Sequence, residues 1–268
     1  IWRWTTGEVV PGPTGDLVRV RDDWRLWTGL ALLGLSVFGR PIVLSIVAKK
    51  KGPASRPERE NGDTLMGPSG SCLYVERHGP LTAPMIIFTH GWGMDSTIWH
   101  QSKLGLSDRF RLVLWDLPGL GRSRLPPGKR VDLRDFAADL ASLLPTDAGE
   151  KAILVGHSIG GMTIQTLVRD HPEALDRVAG IVLLNTTYTN PLQTMVLGPL
   201  LRAIRRPLLE PAMVLFIMLQ PLVWLSQWQS YLSGAAHLAH RFGFGRFVTR
   251  SQLDHTTLLT TRNPPGVQ

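Results

Sequence analysis

A serine between glycines is the clearest chemical signal in the sequence. Gly156-His157-Ser158-Ile159-Gly160 follows the apolar run 153–155 and precedes a helical pattern. Small residues two positions before and after the serine allow a sharp turn from a strand into a helix, which exposes the serine hydroxyl at the helix N-terminus. There the helix dipole favours developing negative charge. We therefore predict that Ser158 is a nucleophile that attacks an ester-like carbonyl; the alternative is a glycine-rich turn with an inert serine.

A second segment, His90-Gly91-Trp92-Gly93, follows the apolar run Met85–Thr89. Acyl transfer needs two backbone N–H groups directed at the oxyanion, one from the residue after the nucleophile and one from a loop that follows an early strand. We predict the amides of Ile159 and Trp92 for these two positions. For His90 we prefer a structural role, in which its ring holds the loop by hydrogen bonds, to a catalytic one.

Alternating strand and helix patterns must position these two loops. A chain that alternates strands and helices is typical of a mostly parallel sheet with helices on both faces. Ligands of such sheets bind beyond the carboxyl ends of the strands, where both loops begin. The patterns predict strands at 72–77, 85–89, 112–116, 152–156 and 178–184, and helices at 133–144 and 159–170.

Three motifs, in their order and spacing, resemble the α/β-hydrolase superfamily. They are His90–Gly93, the segment Asp116-Leu117-Pro118-Gly119-Leu120-Gly121-Arg122-Ser123, and Gly156–Gly161. The resemblance covers about residues 70–190, and the first motif is similar to that of serine carboxylesterases of the pimeloyl-carrier-protein methyl esterase type. It implies an α/β-hydrolase fold and a structural role for Asp116. A serine at the turn argues against epoxide hydrolases and haloalkane dehalogenases, whose pattern has an aspartate there.

The resemblance also implies an acid and then a histidine base after the serine. Two more strand and helix units of about 30 residues each would be needed to carry them, and the segment after Ser158 is too short. We therefore expect the base and acid beyond Gln268, in a C-terminally truncated core. The uncharged Asn185 cannot replace the acid. Less favoured internal candidates are His171, His237, His240 and His255 as bases and Glu210 and Asp254 as acids.

The segment 26–48 is strongly apolar, interrupted only by Gly39-Arg40-Pro41, and Lys49-Lys50-Lys51 follow it. Its length matches the roughly 20 residues that a membrane helix needs. The favourable insertion of its aliphatic side chains slightly exceeds the penalty of Arg40. We predict membrane association through this N-terminal hydrophobic helix, with the catalytic domain on the cytoplasmic side. The alternative is a buried or interfacial helix pair in a cytoplasmic protein.

These patterns divide the chain into six segments. The apolar helices of the proposed cap, such as Met213–Leu225, imply a lipophilic substrate because apolar walls cannot satisfy a polar ligand; the alternative is simple helix packing. The segments are a polar N-terminal part (1–25), the hydrophobic segment (26–51), a linker (52–70), the first part of the hydrolase core (71–190), a helical cap (191–250) and the start of a linker to the rest of the core (251–268).

Composition and charge exclude several classes of function. The chain has 29 basic and 21 acidic side chains, but the basic residues are scattered, which argues against nucleic-acid binding. A single cysteine, Cys72, cannot form an intrachain disulfide. No residues stand at zinc-site spacing, so we predict neither a metal nor an organic cofactor.

The prediction is cleavage of a small-molecule, lipophilic carboxylic ester through an acyl-enzyme. A cofactor-free haloperoxidase or perhydrolase and a membrane-tethered inactive binding module remain alternatives.

Overall fold

The computed structural model describes residues 2–48, 57, 59–190, 193 and 198–262. Their contacts divide the chain into two compact units. We call Ile1–Ala54 together with Pro221–Thr261 the helical unit, and Ser55–Gln220 together with Arg262–Gln268 the sheet unit. This division differs from the predicted segments, because it joins the N-terminal region to the last helices of the chain.

The helical unit begins with a short helix, a hairpin and two further helices. The polar segment 1–25 contains the helix and an antiparallel strand pair. The elements are α1 (Trp2–Thr6), β1 (Glu8–Pro11), β2 (Leu17–Val20), α2 (Asp23–Phe38) and α3 (Arg40–Val47).

The predicted hydrophobic segment 26–51 is two helices in the structure, and Lys49–Lys51 lie outside the described residues. The chain bends by 71° between α2 and α3. Pro41 explains the break, since it has no N–H to donate and its ring would clash with the carbonyl four residues earlier in a continuous helix. Among the described residues, no single helix is long and apolar enough to cross a bilayer. Two bent pairs of helices have the required length and apolar character when taken together: α2 with α3, and Gly198–Met218 with Gln220–Ser233.

The sheet unit contains a six-stranded sheet of order β3-β4-β6-β5-β7-β8. The strands β5, β6, β7 and β8 are parallel to one another. The strand β4 pairs antiparallel with β6, and β3 pairs antiparallel with β4. The predicted linker 52–70 thus contributes a strand of its own. The strands are β3 (Asp63–Met66), β4 (Cys72–His78), β5 (Met85–Thr89), β6 (Arg111–Trp115), β7 (Ala152–His157) and β8 (Val178–Leu184).

Helices cover both faces of this sheet because successive strand residues alternate in direction. On one face, Ile87 and Leu154 pack with the buried residues of α5 (Leu133–Ser142) and α6 (Ile159–Asp170). On the other face, Ile86 and Phe88 pack with a 3₁₀ turn (Ser96–Trp99) and with Leu106, the last residue of α4 (His100–Leu106). The predicted α/β fold, a mostly parallel sheet with helices on both faces, is therefore confirmed.

The helices that follow the sheet belong to both units. The predicted cap 191–250 is divided between Gln220 and Pro221, and residues 191, 192 and 194–197 lie outside the described part. The helices are α7 (Gly198–Ile204), α8 (Glu210–Met218), α9 (Gln220–Ser233), α10 (Ala235–Arg241) and α11 (Arg250–Arg262), with a π-helical turn at Arg205–Leu209.

Candidate active site

Ser158 occupies the turn between β7 and α6, as the sequence predicts. Its backbone has φ 53° and ψ −120°, and among the described residues only Asn185 is another non-glycine residue with positive φ. A β-carbon on Gly156 would lie 2.6 Å from the Gly160 carbonyl oxygen, and one on Gly160 would lie 2.3 Å from the Thr89 carbonyl oxygen. Glycine at both positions therefore makes this strained turn possible.

Hydrogen bonds to neighbouring elements hold the strained turn in place. The Ser158 amide donates to the Leu184 carbonyl over 3.0 Å, at the end of β8. The Ser158 carbonyl accepts from the Thr186 hydroxyl over 2.6 Å and from the amides of Gly161 and Met162. Thr186 has no motif around it that could have revealed this role from the sequence.

The loop after β5 begins beside the loop after β7. Thr89 pairs with Gly156 in the parallel register of the two strands. Trp92 and Ile159 then line one cavity of about 470 Å³, whose other walls include Val131, Leu133 and Phe136. Ser158 is partly exposed and is not among the residues that line this cavity. As the first residue of α6, Ile159 has an N–H without a partner inside the helix.

His90 is buried and fixes the loop after β5. Its Nδ1 donates to the Gly91 carbonyl over 2.8 Å, and its Nε2 accepts from the Leu117 amide over 2.9 Å. Since an amide can only donate, the ring is neutral with its proton on Nδ1. Both nitrogens are occupied, so the geometry supports the structural role over the catalytic one.

We expect the folded protein to lose stability as the pH falls below about 6.5. Burial lowers the pKa of His90 below its ordinary value of 6.5, so the unfolded chain binds a proton that the folded chain does not. Burial also lowers the pKa of His157 and His240. Each such histidine decreases the free energy of unfolding by up to about 1.4 kcal/mol per pH unit below 6.5.

Urea unfolding at pH 7.5 and 5.5 measures this effect, in a range where ordinary carboxyl groups stay ionised. Equal or greater stability at pH 5.5 would contradict it. The ¹⁵N shifts of the His90 ring at pH 6 provide a residue-specific control, because they should still show one protonated and one unprotonated nitrogen.

Asp116 is buried and organises three loops, in agreement with the structural role that the resemblance implies. Its Oδ1 accepts from the Ser96 amide over 2.7 Å, and its Oδ2 accepts from the Arg122 amide over 2.7 Å. The Arg59 guanidinium donates to Oδ2 over 2.6 Å. These contacts of the carboxylate thus serve the backbone or a salt bridge.

Arg59 is a second residue near the site, after Thr186, that the sequence did not reveal. It lies in the predicted linker and joins two carboxylates, Asp116 and Asp95, each over 2.6 Å. Burial opposes ionisation of Asp95, but the charge of Arg59 and a hydrogen bond from Thr97 lower the pKa of Asp95 overall. Arg59 therefore ties the start of the sheet unit to the loop that carries Trp92.

The other candidate bases and acids are distributed between the units. In the sheet unit, His171 contacts Glu173 over 3.3 Å, and Glu210 accepts from Arg205 over 3.0 Å. Asn185 lies just after β8. None of these contacts gives a base or an acid to Ser158.

In the helical unit, His237 and Asp254 form a pair with 3.0 Å between Nε2 and Oδ1. The same carboxylate oxygen accepts from Tyr231 over 3.1 Å and from Arg40 over 3.4 Å. His240 Nδ1 instead contacts the Ala236 carbonyl, and His255 lies in α11. The pair therefore forms part of a polar cluster between helices of its own unit. Within the described residues, no group of three or more His, Cys, Asp or Glu side chains could hold a metal ion.

Known proteins resemble this chain in sequence and in structure. Over 101 residues it is 39% identical to a pimeloyl-[acyl-carrier protein] methyl ester esterase of Aeromonas hydrophila, covering 38% of this chain and 37% of that protein. A protein of the same name from Vibrio campbellii is 34% identical over 95 residues, 35% of each chain. The matched part thus spans little more than a third of these relatives.

A solved structure shows the same fold. The esterase RhEst1 from Rhodococcus sp. ECU1013 superimposes with a TM-score of 0.55 at 21% sequence identity, covering 78% of this chain and 71% of that one. Residues 86–265 match the sequence profile of the Alpha/beta hydrolase family, which is more than half of the chain. The strained serine turn, the adjoining loop and these matches agree, and the chain belongs to the α/β-hydrolase family.

Proposed function

We propose that this protein is a serine hydrolase that cleaves a carboxylic ester through an acyl-enzyme. The observation that carries the proposal is the strained backbone of Ser158, held at the carboxyl end of the sheet beside the His90–Gly93 loop. Strain of this kind persists where the surroundings enforce it, which is typical of active sites. The names of the relatives, methyl ester esterase and esterase, support ester cleavage as the reaction.

In the proposed reaction, the Ser158 hydroxyl attacks the ester carbonyl and a tetrahedral oxyanion forms. The amides of Trp92 and Ile159 donate hydrogen bonds to this oxyanion, and loss of the alcohol leaves an acyl-serine that water hydrolyses. A general base must accept the hydroxyl proton. We assign the base and the acid to no described residue. The contacts of His171, His237 and His240 and of the acids Glu210 and Asp254 lie within their own parts of the fold.

The substrate that we propose is lipophilic. Five of the nine side chains that line the cavity of Trp92 and Ile159 are apolar, and the other four are Asp132, Arg134, Thr166 and Arg169. In addition, α8 of the same unit exposes a run of apolar residues from Val214 to Met218. Apolar walls favour an apolar acyl or alcohol group.

For localisation, we propose that the protein associates with a membrane and acts at its cytoplasmic side, as the apolar segment 26–48 and the lysines after it indicate.

A fluorophosphonate probe tests the proposal, since it reacts covalently with activated serines. We expect the probe to label the chain at one site, and peptide mapping to place the label on Ser158. We also expect p-nitrophenyl esters of medium chain length to be hydrolysed faster than the acetate. Absence of both labelling and hydrolysis would instead support the inactive binding module, whereas labelling of a different serine would overturn the assignment of Ser158.

A further inference from the structure

Helix α2 of the helical unit exposes apolar side chains around most of its circumference. None of its 16 residues is buried. Since each residue of an α-helix is rotated by about 100° from the one before, the exposed positions leave out only one narrow side, that of the half-buried Arg25, Gly29 and Ser36. The large apolar side chains, with 42% to 72% of their surface exposed, are Trp24, Trp27, Leu30, Leu32, Leu33, Leu35, Val37 and Phe38.

A helix at the surface of a water-soluble protein normally has a polar stripe, and α2 has none beyond its first turn. No charged residue occurs from Leu26 to Phe38. A partner helix or a groove would cover one stripe of α2 and leave the other sides in water. Lipid acyl chains surround a helix on all sides, so a bilayer matches this surface better than a protein partner does.

The N-terminal end of α2 has the composition of a membrane interface. Trp24 and Trp27 lie in its first two turns, and the guanidinium of Arg25 lies 5.6 Å from the ring centroid of Trp24. Indole rings favour the depth of the lipid headgroups. Arg25 also pairs with Asp22 over 3.1 Å, so the charges at this end partly cancel. Binding should therefore require little help from anionic lipid.

The C-terminal end of α2 is fixed to the helical unit. Gly39 is buried, and a β-carbon on it would lie 2.4 Å from the Ser233 carbonyl oxygen. Leu44 in the next helix and Ala48 just after that helix pack with Val248 and Leu253.

Polar contacts fix the same end. Arg40 donates to Tyr231 and Asp254, and Arg241 donates to the Val47 carbonyl over 2.9 Å. At the N-terminal end, the Trp4 indole donates to Asp23 over 3.1 Å, so both ends of α2 continue into folded, polar structure. The uncharged run between them is about 20 Å long at 1.5 Å per residue, short of the roughly 30 Å hydrocarbon core of a bilayer.

We propose that α2 inserts into a single leaflet of a lipid bilayer and anchors the helical unit at the membrane surface, while α3 stays within the protein. This replaces a spanning segment 26–48 by a one-sided anchor. The inference does not depend on the chemistry of Ser158.

Vesicle flotation of the full 268-residue chain tests the proposal. We expect the protein to float with phosphatidylcholine vesicles, which carry no net charge, and anionic phosphatidylglycerol to strengthen binding further, because the chain has a formal charge of +8. The double variant Leu32→Glu/Leu33→Glu should bind at least about tenfold more weakly, because acidic side chains are strongly disfavoured in the acyl layer. The matched control is Met66→Glu/Leu81→Glu, two apolar positions of the sheet unit that are somewhat more exposed than Leu32 and Leu33, which should bind as the parent does.

A label on residue 33, in the variant Leu33→Cys with Cys72→Ser, should be quenched by lipids that carry a nitroxide within the acyl chain. The same label at residue 66 should not be quenched. Failure to float, or equal loss in the control variant, would overturn the proposal. So would a dimer in lipid-free solution that Leu32→Glu/Leu33→Glu converts to a monomer, because a second copy would then cover α2. Ser158→Ala should float like the parent, so that failure of the hydrolase proposal and failure of this one are distinguishable.

Discussion

Replacing Ser158 by alanine is expected to abolish fluorophosphonate labelling and to decrease ester hydrolysis by at least about 10³-fold. The reason is that the hydroxyl oxygen is the atom that bonds to the probe and to the acyl group. The turn and its hydrogen bonds with Leu184 and Thr186 involve the backbone of residue 158 and should remain. Labelling that persists in Ser158→Ala would identify a different nucleophile.

A second substitution at the same position tests the strain in the turn. Ser158→Gly should also lose labelling, but it should be more stable than Ser158→Ala by about 1 kcal/mol. A non-glycine residue in this backbone conformation costs roughly 1–3 kcal/mol, and the extra freedom of glycine in the unfolded chain offsets about 0.5–1 kcal/mol of the gain. Urea unfolding of the two variants gives the difference. Equal stabilities, or a less stable glycine variant, would show that the turn is not strained.

Replacing Arg59 by methionine is expected to decrease the free energy of unfolding by about 3–5 kcal/mol. The guanidinium side chain is 13% exposed and joins Asp95 and Asp116, whose side chains are 11% and 0% exposed. Methionine keeps much of the apolar stem but leaves two carboxylates buried without their cation. The loop that carries Trp92 loses one of its attachments at the same time, so labelling of Ser158 should also slow.

Arg77→Met provides the matched control for Arg59→Met. Arg77 forms a salt bridge with Asp63 over 2.7 Å, but both side chains are exposed. Water screens such a pair, so its loss should decrease stability by less than about 1 kcal/mol. Circular dichroism during urea unfolding measures both variants. Similar effects of the two substitutions would refute the claim that burial distinguishes the Arg59 bridge.

The strands around the site could be predicted from the sequence because their signals are local. Val113 and Leu154 belong to short apolar runs bounded by turn residues. Such runs predict a buried strand, whatever position the strand takes in the sheet. The N-terminal hairpin was missed because β1 and β2 are short and exposed, with no apolar run to mark them. The strand β3 was missed because Pro and Gly around it are typical of a linker.

The sequence by itself determined the turn at Ser158, the loop at Trp92 and the family, since each depends on glycine spacing within a few residues. Tertiary structure alone decided that Arg59 reaches Asp116 and that α3 packs with Val248 and Leu253. These partners are far apart in the chain, and no local pattern encodes which distant side chain neutralises a buried charge or covers an apolar face. Local backbone geometry is specified by neighbouring residues, whereas pairing across the fold depends on the packing of the whole chain.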